Sequence, residues 1–235
     1  YTTNYTDHGK MTGKGHPHRV IQHDHDEPIG EKNCEQWMGE WIKWLVKIPH
    51  DKNPMNNSPN PYDKGYESHV IFDEEKNEGV YFMAATVYGE GYHNSYEIIP
   101  VGNFHLFIVP FMLFDSPLEY PSMNLEELHS RSMRQVDCLT DISASLDGLG
   151  LQCCRVHIEP ERKVTVNDIP EKNILGVSKA ELEKANFSAE MVGNGYALFL
   201  APLEPGLHRL KYEAYTPNYT LKSEVQLNVR GPEKA

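Results

Sequence analysis

The chain has 235 residues, enough for one large domain or two small ones. Its 22 Lys and Arg stand against 34 Asp and Glu, a net charge of −12 with neutral histidine, which argues against a nucleic-acid backbone or an anionic membrane as partner. No apolar run approaches the ~18 residues a spanning helix needs, so no transmembrane segment is expected.

The N-terminal stretch carries His8, His16, His18, His23 and His25, interleaved with Asp7, Asp24 and Asp26. A polar, Gly-punctuated segment of this kind buries too little apolar surface to offset its ordering entropy. A metal, a partner chain or a groove on its own domain should therefore hold it. Imidazole and carboxylate are the usual ligands of Zn and Cu. Two His-x-His pairs occur, His16-Pro-His18 and His23-Asp-His25, and in an extended strand residues i and i+2 share a face. The expected metal set is therefore His8, His16, His18, His23 and His25 with Asp24 and Asp26. The competing readings are a partner-binding arm, with Val20-Ile21 as a small apolar anchor, and a plain solvated tail. Residues 1–30 form this arm, and residues 31–235 are expected to form a single domain.

From Glu31 the pattern turns helical. Trp37, Trp41, Trp44, Leu45 and Ile48 share one stripe, predicting a helix near 33–48 that Pro49 stops. All three tryptophans lie on that stripe, read as core rather than as a sugar-stacking platform. An Asn/Pro-rich connector follows, and then the period switches to two. His69–Phe72 and Val80–Tyr88 read as a hairpin around a solvated turn, Asp73–Glu78. Ile98–Phe114 is an apolar strand run whose His105 reads as a hydrogen-bonded core residue. Asn124 caps a helix near 124–140, with Glu126 and Glu127 in its first turn.

The remainder looks β-rich. Ser143–Leu146 closes on Asp147-Gly148, a hairpin turn pair. Leu151–Ile158, Val164–Val166, Tyr196–Leu200, Leu207–Tyr215 and Leu221–Val229 follow, the last alternating apolar and polar as in a sheet with one wet face. The expected fold is mainly β: an antiparallel β-sandwich, Ig-like or jelly-roll-like, with two flanking α-helices and an extended N-terminal arm.

Four N-x-S/T sequons stand at Asn4, Asn56, Asn186 and Asn218, in loop-like contexts. The cysteines are even in number, Cys34, Cys138, Cys153 and Cys154, and are read as disulfide-forming with the pairing open among three possibilities. A chain starting at Tyr1 reads as mature, its signal peptide removed. Together these point to a secreted or otherwise extracytoplasmic glycoprotein.

The segment Asn194-Gly-Tyr-Ala-Leu-Phe-Leu-Ala-Pro-Leu-Glu-Pro-Gly-Leu-His208 resembles the D-G-Y-W-x-x-L-x-P-L-x-P-G-x-H-x-I pattern of an uncharacterised family of secreted β-sandwich proteins. The Trp-rich helix with Ile48-Pro49 and Asn53-Pro54, the Gly79–Ala85 strand, Ile99-Pro-Val-Gly102 and Ser145-Leu-Asp-Gly148 are similar in the same order. The resemblance spans roughly residues 37–230 and departs at Asn194, Asn103 and Ala197. It implies fold and secretion but no activity, and it does not include the His-rich arm.

No Gly-x-Ser-x-Gly elbow, Walker loop or dinucleotide fingerprint is present. The leading functional expectation is a secreted, non-catalytic glycoprotein that binds Cu or Zn through its N-terminal histidines. The second is a structural subunit of an extracellular assembly, a homo-oligomer or a complex with another extracellular protein, whose arm docks on a neighbour. The third is a metal-dependent extracellular enzyme.

Overall fold

Helices start in this chain where the sequence supplies reciprocal caps, as a computed structural model that describes residues 22–56, 68–84, 91–217 and 220–231 shows. Helix α1 (Cys34–Lys47) opens with a capping box: the Asn33 side chain accepts from the Gln36 N–H, and the Gln36 side chain accepts from the Asn33 N–H. Helix α2 (Leu125–Val136) opens likewise with Asn124 and Glu127. A third helix, α3 (Lys179–Lys184), is capped by Ser178 and Glu181. It corrects the expectation of two helices.

Strand outweighs helix by 43% to 22%, which makes the fold mainly β. The first sheet is built from β1 (His69–Asp73), β2 (Glu78–Ala84), β4 (Asn103–Asp115), β9 (Ala189–Leu200) and β7 (Cys154–Ile158) in that order, with β8 (Val164–Val166) pairing the start of β9. The second runs β3 (Gly91–Ile99), β11 (Thr220–Val229), β10 (Gly206–Tyr215), β5 (Asp141–Leu146) and β6 (Leu149–Leu151). Neither is purely antiparallel. β2 runs parallel to β4 and β3 parallel to β11, so each sheet is mixed. The Asp147-Gly148 turn joins β5 to β6 with both residues at positive φ, as a two-residue hairpin of matching twist requires.

The two apolar clusters lie on opposite faces of the first sheet. Phe104, Leu106 and Ile108 of β4 meet Leu198 and Leu200 of β9 and the inward residues of the second sheet, including Leu146, Leu210, Tyr212, Val225 and Leu227. Phe107 and Val109 face the other way, onto Trp37, Trp41, Ile42 and Leu45 of α1. The first sheet is thus the middle layer between α1 and the second sheet. This explains why β4 is apolar without alternation, since a strand covered on both faces has no wet side.

Pro110 interrupts β4 without breaking it. The ladder to β9 steps from Ile108↔Leu198 to Phe111↔Tyr196, a one-residue bulge. The extra residue flips the parity, so Met112 and Phe114 now take the α1 side that Phe107 and Val109 held before it.

Beyond the bulge α2 lies on β4 and β9, on the face that Asn194 presents. The Asn194 amide donates to Ser132 Oγ at 2.8 Å, and the Asn194 carbonyl oxygen bonds His157 Nδ1. Trp37 and Trp41 are almost fully buried, and their indole N–H groups donate to Ile29 O and Met83 O, each at 3.0 Å. The tryptophan stripe is core.

Candidate functional site

The end of the N-terminal arm lies along the first sheet. Gln22 forms a bridge with Leu200, and the His23 N–H donates to Phe199 O at 2.9 Å. The Gln22 side chain continues the pairing: its amide N–H donates to Gln152 O at 2.5 Å, and its carbonyl accepts from Gln152 N–H at 3.0 Å. An Asp24–Glu27 turn and a reciprocal Ile29–Lys32 bridge then lead into α1. Of the three holders expected for the arm, a groove on its own domain accounts for residues 22–32.

This docking carries His23 to a histidine 82 residues away. His23 Nε2 lies 2.9 Å from His105 Nδ1, His23 Nδ1 lies 3.1 Å from Glu27 Oε2, and His105 Nε2 lies 2.9 Å from Glu78 Oε1. The result is a linear carboxylate–imidazole–imidazole–carboxylate chain. Phe199 packs edge-on against both rings, and Phe72 lies 6.1 Å from that of His105. Side-chain exposure is only 10% for His23 and 9% for His105, so the pair sits out of bulk water. Burial holds the His105 pKa below the ordinary histidine value, the Glu78 hydrogen bond opposes that shift, and the His23 charge adds to it.

The strand register explains the geometry. Parallel pairing sets Val80 opposite His105, which brings Glu78 onto the same face one diagonal step away. Glu78 ends the Asp73–Glu78 segment whose composition suits a solvated turn, yet it is the inner carboxylate of the chain. His105 is hydrogen-bonded in the core, as its sequence context suggested. The pairing with His23 had no local signal.

Outward of this chain, Gln22 to Glu27 with Gln152 and Cys154 line an open cleft of about 670 Å³. Asp24, Asp26 and Glu27 make it acidic. His25 stands in it with Nδ1 bonded to Asp26 at 3.1 Å, while its Nε2 is buried and has no hydrogen-bond partner. Cys154 is a poor nucleophile: burial raises its thiol pKa, and Asp24 and Asp26 raise it further. His23 and His25 do not converge as a His-x-His pair, because the Asp24–Glu27 turn breaks the strand between them. Among the described residues no group of three or more His, Cys, Asp or Glu side chains is arranged to hold a metal ion. His8, His16 and His18 lie outside the described residues.

All four thiols are free. Cys34 is buried in the α1 layer and Cys153 packs between the sheets, burial raising each pKa to about 12. Cys138 is exposed beyond α2, bonded to Arg134 O. Of the sequons, Asn186 is exposed just after α3 and Asn56 ends a 3₁₀ turn, while Asn4 and Asn218 lie outside the described residues. His157 and His208 do not meet: the first bonds Asn194 in the first sheet and the second bonds Asp147 at 2.7 Å in the second. No helix among the described residues is long and apolar enough to cross a membrane.

No family model matches the chain, and no curated protein does. Two solved structures are similar at a low level. The solution structure of amebosin is 13% identical, covering 60% of this chain and 100% of its own, with a TM-score of 0.23. The crystal structure of the cysteine protease inhibitor EhICP2 from Entamoeba histolytica is 12% identical, covering 64% and 96%, also with a TM-score of 0.23. Superposition this loose carries no argument about fold type or function.

Proposed function

We propose that this protein is a secreted, non-catalytic glycoprotein of β-sandwich type that captures a transition metal, Cu or Zn, through its N-terminal histidines. The observation that carries the reading is the anchored end of the arm. Residues 22–27 are held on the first sheet and deliver two imidazoles and three carboxylates to one open cleft, with the His25 Nε2 lone pair or N–H left unengaged. Neutral imidazole with carboxylate suits these metals better than Ca²⁺ or Mg²⁺. The raised thiol pKa of Cys154 supports a binding role over nucleophilic chemistry in that cleft. Elemental analysis of untagged protein, purified without chelator or metal resin, tests the proposal. Near-stoichiometric Cu or Zn is the expected result, and metal-free protein that takes up neither ion in titration overturns it.

A structural-subunit reading is favoured by one specific contact, the strand-like pairing of Gln22 and His23 with the end of β9, past the Cys154↔Ala197 pair where β7 stops. The same pairing made by a neighbour's arm would link copies by strand exchange. Light scattering distinguishes the two: a concentration-independent monomer excludes the assembly.

A further inference from the structure

We infer that Cys34 and Cys154 are a disulfide pair, closed by a small-molecule disulfide oxidant such as oxidised glutathione, that staples the start of α1 to β7. The inference rests on the proposed secretion, because an extracytoplasmic compartment supplies such an oxidant. It selects one bridge from the pairings that the sequence leaves open.

Both side chains point into the same layer. Cys34 is the first residue of α1 and is buried in the α1-side core. Cys154 opens β7, where it stands opposite Ala197 of β9. Antiparallel partners share a face, and so do residues two apart along a strand. Ala197, Val156 and Ile158 all belong to the α1-side core, so Cys154 faces α1 with them. α1 packs directly on β7. The electrostatics agree: after burial, Cys154 is the strongest cause of the raised Cys34 pKa, ahead of the adjacent Glu35 carboxylate.

The other two cysteines are poorly placed. Cys153 points the opposite way, into the core between the sheets. A bridge from it to Cys154 is strained, since adjacent Cα atoms stand about 3.8 Å apart, below the span of a relaxed disulfide. Cys138 lies beyond α2 with its Sγ bonded to Arg134 O.

Closure is a two-step thiol–disulfide exchange. One protein thiolate attacks the oxidant and releases one glutathione thiol; the second then attacks the mixed disulfide and releases the other. One protein S–S bond forms, one glutathione S–S bond breaks, and the two protein protons leave on the glutathione thiols. Cys34 reacts before it is buried. Its folded thiol, at about 12, hardly ionises, whereas in an unfolded chain a cysteine titrates near about 8.5. Burial then shields the Cys34 side of the bond, and a reductant must approach through the cleft that Cys154 lines. The closed loop spans about 120 residues, so the bridge constrains the unfolded chain strongly.

The test refolds the full-length protein in glutathione buffer with chelator, then traps free thiols with N-ethylmaleimide in denaturant for intact-mass and peptide mapping. Two trapped thiols, Cys138 and Cys153, and a peptide linking Cys34 to Cys154 are the expected result. Reduction should lower the thermal midpoint by about 10 °C, and that difference should vanish in Cys154→Ser. If Cys154→Ser does not fold, the mapping of the wild type decides alone. Trapping of all four thiols, or a bridge that uses Cys138 or Cys153, overturns the pair and leaves the metal proposal standing. Protein that forms the bridge yet takes up neither Cu nor Zn supports the pair and overturns the metal reading.

Discussion

Glu119→Gln should stabilise this protein, increasingly so as the pH rises. Glu119 sits between β4 and α2 with its Oε2 buried and without a hydrogen-bond partner. Burial first and the neighbouring Asp115 carboxylate second raise its pKa from 4.5 to about 7, against the pull of the Ser116 backbone N–H and of Arg131, itself bonded to Asp115 at 2.5 Å. A carboxyl whose folded pKa exceeds its unfolded value contributes stability that is fully present below pH 4.5. That stability is lost as the pH climbs through the window to 7, because the folded state binds the extra proton there. At about 1.36 kcal/mol per unit, ionised Glu119 costs the fold about 3 kcal/mol above pH 7. Glutamine keeps the shape without the charge. Urea unfolding at matched ionic strength should therefore show the variant ahead by about 1 kcal/mol at pH 5 and about 3 kcal/mol at pH 8. An advantage that is the same at both pH values, or a variant less stable at pH 8, would refute the assignment of Glu119 as a buried acid.

Gly195→Ala places a methyl group into the Phe111 carbonyl oxygen and Met112 Sδ, where backbone cannot yield, and should cost about 2–3 kcal/mol. Gly150→Ala, where nothing lies within 4 Å, should stay within about 0.5 kcal/mol in the same thermal melts. Asn194→Ala removes the bonds to Ser132 and His157 at a fully buried position. A loss of about 2–3 kcal/mol in denaturant, with faster amide exchange along α2, is expected. Trp41→Phe strands the buried Met83 carbonyl and should cost about 1–2 kcal/mol by urea unfolding; a neutral outcome would mean that this indole bond is not made in solution.

Local elements were legible to the degree that they are set by neighbours in the chain. The α1 stripe, the Asn124 cap, the Asp147-Gly148 turn and the alternation of β11 were each readable, because period, cap and turn chemistry act over a few residues. α3 was missed although Ser178 and Glu181 spell a capping box, since six residues are too few to show a helical period. The start of β9 was missed because Gly193, Asn194 and Gly195 look like turn residues. Their smallness serves the close approach of β4, and Asn194 serves the contact with α2. The strand run from Ile98 to Phe114 was joined where the chain actually turns, at 100–102, between two sheets.

The amino-acid sequence by itself determined the mainly β class, the places of α1 and α2, the buried role of the tryptophans and the concentration of imidazole and carboxylate at the N-terminus. These follow from side-chain period and from local hydrogen bonding. Only the tertiary structure decided the two parallel pairings, the layer that each cysteine occupies and the meeting of His23 with His105 across 82 residues. The physical reason is that a strand's hydrogen-bonding groups are the same whichever neighbour they pair with. Partner, direction and register are chosen by the packing of the whole, and that choice brings His105 and Glu78 to the arm.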